Sequence, residues 1–137
     1  DGAFRMTGLE LATATALRLG VIVFVFNDGE LAQIAQAQEI PYNRKTCTVL
    51  GPLDLAGVAQ ATGAAFVRIA GDPDIDRGLA AAFAAAAQGR PALVDVLVDY
   101  SKRTRFTEGI VKTNLERFDL PTKARLVGRA LWRRVTG

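Results

Sequence analysis

The chain has 137 residues, 50% of them hydrophobic, and a net charge of +3, which suits one domain with a real buried core and leaves little room for two. A single cysteine, Cys47, excludes an internal disulfide, and the lack of histidine excludes a Cys/His zinc site and a Ser-His or Cys-His nucleophile. Chemistry here falls to carboxylates, amides, backbone groups or a cofactor.

The chain opens on DGAFRMTG, a carboxylate and a glycine in turn chemistry. Thr7-Gly8-Leu9-Glu10 then reads as a capping box, with Met6 and Leu11 at the positions of a hydrophobic staple. Leu9, Ala12, Ala16 and Leu19 have the apolar spacing of a helix that Gly20 should stop. VIVFVF (21–26) is apolar without alternation, the pattern of a strand buried on both faces of a parallel sheet, and it exits abruptly into Asn27-Asp28-Gly29.

ELAQIAQAQ (30–38) reads as a helix and IPYNRKTCTVL (40–50) as an irregular crossing. PLDLAGVAQATG (52–63) predicts a helix with Pro52 at its first helical position and Gly63 as its stop. AAFVRI (64–69) is a short strand, DPDIDRGLAAAFAAAAQG (72–89) an alanine-rich helix closed by Gly89, and ALVDVLV (92–98) a final strand. Strands separated by helices in this order predict an α/β fold with a three-layer α/β/α parallel sheet. A chain that begins in a turn implies a sheet incomplete at its N-terminal side, with an uncovered or partner-filled edge.

Residues 1–100 are thus read as an α/β domain and residues 101–137 as a basic C-terminal tail with a terminal helix. Residues 1–98 hold seven Lys/Arg against ten Asp/Glu, and residues 99–137 hold ten against four, so the basic character lies in the tail. In PTKARLVGRALWRRV (121–135), Leu126, Val127, Ala130 and Leu131 form an apolar stripe, and Arg125, Arg129 and Arg133 a basic one. A tail binding an anionic partner, in a non-catalytic module, is the alternative reading. The lack of aromatic interleaving and of a reader motif argues against nucleic acid. No apolar run is long enough for a bilayer and no secretory leader is seen, so a soluble, cytoplasmic chain with no membrane partner is expected.

In open parallel sheets, ligands bind outside the carboxyl ends of the strands. Two polar turns suit that edge: Asp1-Gly2-Ala3, if a strand leads into it, and Asn27-Asp28-Gly29-Glu30 after VIVFVF. Their carboxylates, amide and free carbonyls form a hard-oxygen set of the kind Mg²⁺ or Ca²⁺ accepts, and Mg²⁺ held by few protein ligands completes its shell with phosphate oxygens and water. Gly2 and Ala3 leave room for backbone amides to approach an anion, and a helix starting near Leu9 adds a favourable dipole.

Asp-Gly-Ala-Phe (1–4), Glu10-Leu11-Ala12-Thr13 and an apolar strand closing on Asn27-Asp28 resemble the GDG-to-NN cofactor motif of thiamine diphosphate enzymes, without the first Gly of GDG. FNDGELAQI and PALVDVLVDYS are similar to the C-terminal, diphosphate-binding domain of the acetolactate synthase and 2-oxo-acid carboligase/decarboxylase group. The resemblance spans residues 1–100 and is most specific in the first 34. It implies thiamine diphosphate and Mg²⁺ as cofactors, with metal ligands from the Asp1 carboxylate, the Asp28 side chain and the main-chain carbonyl of Glu30. It also implies that Gly2 and Ala3 meet the diphosphate and that Asn27 braces the turn. Asp28 stands where the commonest family pattern has Asn, which should tighten the hold on the metal.

The resemblance further implies a 2-oxo acid substrate such as pyruvate, acetolactate synthase-like carboligation or decarboxylation, and a homo-oligomer. The glutamate that drives ylid formation in the family belongs to an upstream pyrimidine-binding domain or subunit. Glu10 is explained by the capping box and Glu39 by a helix end, so no catalytic residue is assigned here and the chain alone is expected to be inactive. Gln33, Ile34 and Ala37 stand where the acetolactate synthase branch carries bulky acceptor-contacting residues. Lys102, Arg103 and Arg105 are candidates to meet a substrate carboxylate.

Overall fold

Three runs of branched and apolar residues become strands: β1 (Ile22–Asn27), β2 (Ala65–Ile69) and β3 (Ala92–Leu97). A computed structural model of the chain describes residues 1–42, 44–99, 113 and 116–136. These divide into two compact units, Asp1–Gly29 with Gly51–Val98, and Glu30–Leu50 with Asp99–Gly137. The sheet lies in the first unit, in the order β1-β3-β2, and both pairings are parallel. Register sets Val25 and Arg68 on either side of Asp95. Because successive side chains alternate across a strand, Val23, Val25 and Asn27 share one face with Leu93, Asp95, Phe66 and Arg68. Ile22, Phe24, Phe26, Val94, Val67 and Ile69 share the other.

Each face has its own helix layer, which makes the predicted three-layer α/β/α architecture. Around the first face, Leu11 of α2 (Leu11–Ala16) and Leu55 and Ala59 of α4 (Leu55–Thr62) bury against Val25, Ala64 and Leu93. Ala82 of α5 (Ile75–Ala87) closes on Ile69, Ala92 and Val94 across the second. Leu93 is fully buried, and truncating such a leucine to alanine costs about 2–5 kcal/mol. The start and stop of α4 are chemical. Asp54 accepts from the Gly57 N–H at 3.0 Å, and Gly63, at φ +76°, ends the helix as the sequence predicts.

The N-terminal segment departs from its pattern. α1 (Phe4–Thr7) is already helical at Ala3 and runs into a 3₁₀ turn, Gly8–Glu10, before α2. Thr7 is therefore the end of a helical turn rather than the start of one. Its side chain caps nothing, and Glu10 instead accepts from the Thr13 hydroxyl at 3.3 Å. Met6 is 80% exposed, so no staple forms with buried Leu11. The buried positions are Leu11 and Ala14, not Leu9 and Leu19, because the 3₁₀ turn rotates the helix relative to a continuous 3.6-residue pattern. The helix ends at Ala16, and Arg18 takes the left-handed conformation (φ +52°) expected of a glycine. Gly20 serves packing rather than helix termination, because a Cβ there would stand 2.0 Å from the Ala86 carbonyl oxygen, and its absence permits close approach to α5.

β1 also differs from the expectation of burial on both faces. It is an edge strand whose Phe24 and Phe26 are 40% and 57% exposed, because α5 packs chiefly over β2 and β3. β1 and β2 are the two edges of this sheet, with β3 between them. Pro52 precedes α4 rather than entering it, and the alanine-rich helix opens as a 3₁₀ turn, Asp72–Asp74.

In the second unit, α3 (Ala32–Tyr42) runs on into the stretch predicted as an irregular crossing. Glu30 makes an antiparallel bridge with Val49, and the Leu31 N–H donates to the Thr48 carbonyl at 2.8 Å. α6 (Leu120–Thr136) packs with α3 and forms over the residues where the stripe pattern predicts it. No helix among the described residues is long and apolar enough to cross a membrane.

Candidate functional site

The carboxyl end of β1 is where the two polar turns meet. The main-chain nitrogen of Asp1 donates to the Phe26 carbonyl at 2.9 Å, which anchors the first turn to the end of the strand. Asp1 Oδ2 accepts from the Gly29 N–H at 3.2 Å, across 28 residues of sequence. Asp1 and the Asn27-Asp28-Gly29 turn therefore stand together, as the sequence predicts. Gly2 and Ala3 lie in the turn between Asp1 and α1, and the Asp1 carbonyl accepts from the Arg5 N–H at 3.2 Å. The helix start predicted near Leu9 is found at Phe4, as a single turn too short to build a helix dipole.

Gly29 has φ +71°, a conformation that costs an L side chain about 1–2 kcal/mol. Apart from its two chain neighbours, no atom of the described residues lies within 4 Å of where a Cβ would stand. Asp28 is half-buried. The donor set gathered here is carboxylate, amide and carbonyl oxygen, which fits a hard cation and excludes a thiophilic one. Among the described residues, no three acidic, histidine or cysteine side chains gather as a self-sufficient metal cage. A cation at this turn would take the rest of its shell from an oxygen-rich ligand and water, and diphosphate fits that role.

Asn27 is held from the sheet. Its Nδ2 donates to Asp95 Oδ1 at 3.1 Å, and the Val98 N–H donates to its carbonyl at 3.1 Å. Asp95 is fully buried in the middle strand. Its Oδ2 accepts from Arg68 Nε at 3.0 Å and Nη2 at 2.9 Å, and the Arg68 guanidinium lies 5.6 Å from the Phe66 ring centroid. A polar row thus crosses all three strands on one face, from Arg68 on β2 through Asp95 on β3 to Asn27 on β1. Sequence reading passes over Asp95 and Arg68. The available signal is a lone acid inside the otherwise apolar ALVDVLV and a lone base inside AFVRI, since buried charges are found paired.

Glu30 belongs to the second unit. Its Oε1 accepts from Thr48 Oγ1 at 2.9 Å and its Oε2 from Lys45 Nζ at 3.1 Å. The Lys45 hydrogen bond is the main cause that holds its carboxyl below the ordinary glutamate value; burial opposes it, and the Thr48 hydroxyl and the lysine charge add to it. The Glu30 side chain is thus engaged within its own unit, and the sequence expectation concerns only its main-chain carbonyl. Gln33 and Ile34 are exposed on α3, while the Ala37 side chain lies outside the described residues. Arg125 and Arg129 are exposed on α6. The Arg133 side chain, and Lys102, Arg103 and Arg105, lie outside the described residues.

The chain is 32% identical over 101 residues to the acetolactate synthase of Bacillus subtilis (strain 168), a match covering 74% of this chain and 17% of that protein. It is also 32% identical over 99 residues to the putative acetolactate synthase large subunit IlvB2 of Mycobacterium tuberculosis, covering 72% of this chain and 17% of the relative. The match thus takes in only 17% of the length of each of these relatives. Residues 1–96 match the family described as thiamine pyrophosphate enzyme, C-terminal TPP binding domain. The strand-end turns, the parallel three-layer sheet and this match over most of the chain lead to one conclusion: the chain belongs to the C-terminal, thiamine pyrophosphate-binding domain family of the thiamine pyrophosphate enzymes.

Proposed function

We propose that this chain is the metal- and diphosphate-holding part of a thiamine diphosphate- and Mg²⁺-dependent enzyme that decarboxylates 2-oxo acids of the pyruvate type, with acetolactate synthase-like carboligation. The observation that carries this reading is the Asp1 carboxylate on the Gly29 N–H, which joins two turns 28 residues apart at the end of β1. Asp1 and Asp28 offer carboxylate oxygens to the cation. Gly2 and Ala3 present backbone without bulky side chains to the diphosphate, and Asn27 braces the metal turn from the sheet. The Glu30 carbonyl as a third metal ligand rests on its place in the sequence, two residues after Asp28.

When bound, the cofactor supplies the electron sink that 2-oxo acid decarboxylation requires. This chain's residues bind and orient it, and the proton-transferring glutamate comes from an upstream pyrimidine-binding domain or a neighbouring subunit in a homo-oligomer. Histidine is unnecessary in that division of labour. Calorimetry with thiamine diphosphate and Mg²⁺ on the intact protein tests the reading. Asp1→Ala and Asp28→Ala should each weaken cofactor binding about tenfold or more, the loss of one charged ligand contact. Wild-type affinity in both variants would rule the site out.

A further inference from the structure

Asn27 could present either end of its amide to the metal turn, because the oxygen and the NH2 group are nearly the same in shape. The residue beneath it decides. Asp95, as a carboxylate, only accepts hydrogen bonds. It takes both Arg68 donors on Oδ2 and leaves Oδ1 to Asn27 Nδ2 at 3.1 Å. With its NH2 group committed to Asp95, Asn27 keeps Oδ1 on the side away from the middle strand. Asp95 is fully buried, whereas the Arg68 side chain is 54% exposed, so the carboxylate is a fixed acceptor inside the sheet with its counter-ion reaching out to solvent.

We infer that Asp95 is a positioning residue for the metal–diphosphate turn. Through Nδ2 it sets the amide of Asn27 with its oxygen facing the cation side, and Arg68 holds that acceptor in place with two hydrogen bonds. The inference rests on the cofactor reading above and extends it to a residue that touches neither metal nor cofactor.

The consequence of Asp95→Asn can be worked out donor by donor. The guanidinium claims the single amide oxygen at position 95, since the hydrogen bond from a charged donor is the stronger. The new NH2 group then faces Asn27 Nδ2, two donors in opposition. Asn27 relieves this by turning its amide over, which brings an NH2 group to the side where a cation binds. Removing the guanidinium as well, in Arg68→Met with Asp95→Asn, frees the oxygen at position 95 to accept from Asn27 Nδ2 again and restores the original orientation.

The test is thiamine diphosphate binding to the intact protein, titrated with Mg²⁺ and read by calorimetry, beside melting of the cofactor-free protein. Asp95→Asn should weaken Mg²⁺-dependent cofactor binding by about 10–100-fold, the usual effect of losing a group that orients a ligand. The double variant should return to within about threefold of wild type, less than one charged hydrogen bond. A merely structural Asp95 would lower the melting temperature of both variants while leaving the affinity of the folded protein unchanged. That result, or a double variant as weak as the single one, overturns the inference and leaves the cofactor site standing. If Asp95→Asn does not fold, Asp95→Leu with Arg68→Met takes its place: it leaves no buried charge and strips Asn27 Nδ2 of its acceptor, so affinity should fall about tenfold or more, and wild-type affinity in that folded variant overturns the inference. A wild-type protein that binds no thiamine diphosphate with Mg²⁺ overturns both the inference and the reading beneath it.

Discussion

β1 and β2 run parallel and leave the sheet at the same end, and each exits into a turn of glycine and acid: Asn27-Asp28-Gly29 after β1, and Ala70-Gly71-Asp72-Pro73-Asp74 after β2. Their compositions are alike, and their hydrogen bonds are not. In the second turn, Asp74 accepts from the Ala70 N–H at 3.3 Å and from Arg77 at 2.7 Å, all within eight residues of chain. It is a local device that starts a helix. In the first turn two groups have distant partners. Gly29 reaches Asp1 across 28 positions and Asn27 reaches Asp95 across 68. An acidic turn becomes a candidate site when groups in it are tied to distant parts of the fold, as Gly29 is to Asp1 and Asn27 to Asp95.

The contrast is tested most forcefully at the two arginines. Arg68→Met leaves the buried Asp95 carboxylate without its cation, so stability should fall by about 2–3 kcal/mol in denaturant titration. Arg77→Met removes an exposed i,i+3 partner of Asp74 and should cost about 0–1 kcal/mol. Equal effects would mean that the polar row across the sheet is no more than surface pairing.

The glycines provide a smaller contrast. Gly29 sits at φ +71°, so Gly29→Ala should destabilise by about 1–2 kcal/mol even though its Cβ would meet nothing. Gly71 has extended backbone, φ −176°, and a Cβ there would make only an ordinary contact with Pro73. Gly71→Ala should therefore be near neutral or slightly stabilising, within about 0.5 kcal/mol. Thermal melts of the two variants side by side would show whether the first turn alone carries backbone strain.

The smallest effect concerns Glu30. Its carboxyl is held below the ordinary value of 4.5, mainly by the Lys45 hydrogen bond. A depressed carboxyl contributes stability that is present above its ordinary value and lost as pH falls through the folded value. Glu30→Gln should therefore melt below wild type at neutral pH, with the gap closing as the pH falls below about 4.5. A gap that persists at lower pH would assign the effect to the Thr48 contact instead of to charge.

Much of the fold was legible in the sequence because its signals are local. Apolar runs marked all three strands, and Gly63 marked the end of α4. The departures arise where the surroundings override the local pattern. The capping box at Thr7 and the stripe from Leu9 to Leu19 presume a single helix from Thr7, whereas the chain is already helical at Ala3 and passes through a 3₁₀ turn. VIVFVF looks fully buried because pattern alone cannot tell a central strand from an edge strand that borders open space. For the candidate site, the meeting of the Asp1 and Asn27-Asp28-Gly29 turns was expected from turn chemistry and strand order, while Asp95 and Arg68 were hidden inside strand patterns.

What the amino-acid order determined by itself was the set of elements, the parallel α/β class and the hard-oxygen chemistry of the two turns, since each depends on neighbours within a few residues. Only the tertiary structure decided that Asp1 meets Gly29, that β1 is an edge, and that one buried carboxylate joins Arg68 to Asn27. Those contacts span 27 to 68 residues of chain, and they exist because parallel register places Val25, Arg68 and Asp95 side by side. Register follows from packing both faces of the sheet at once, and no local stretch of sequence specifies it.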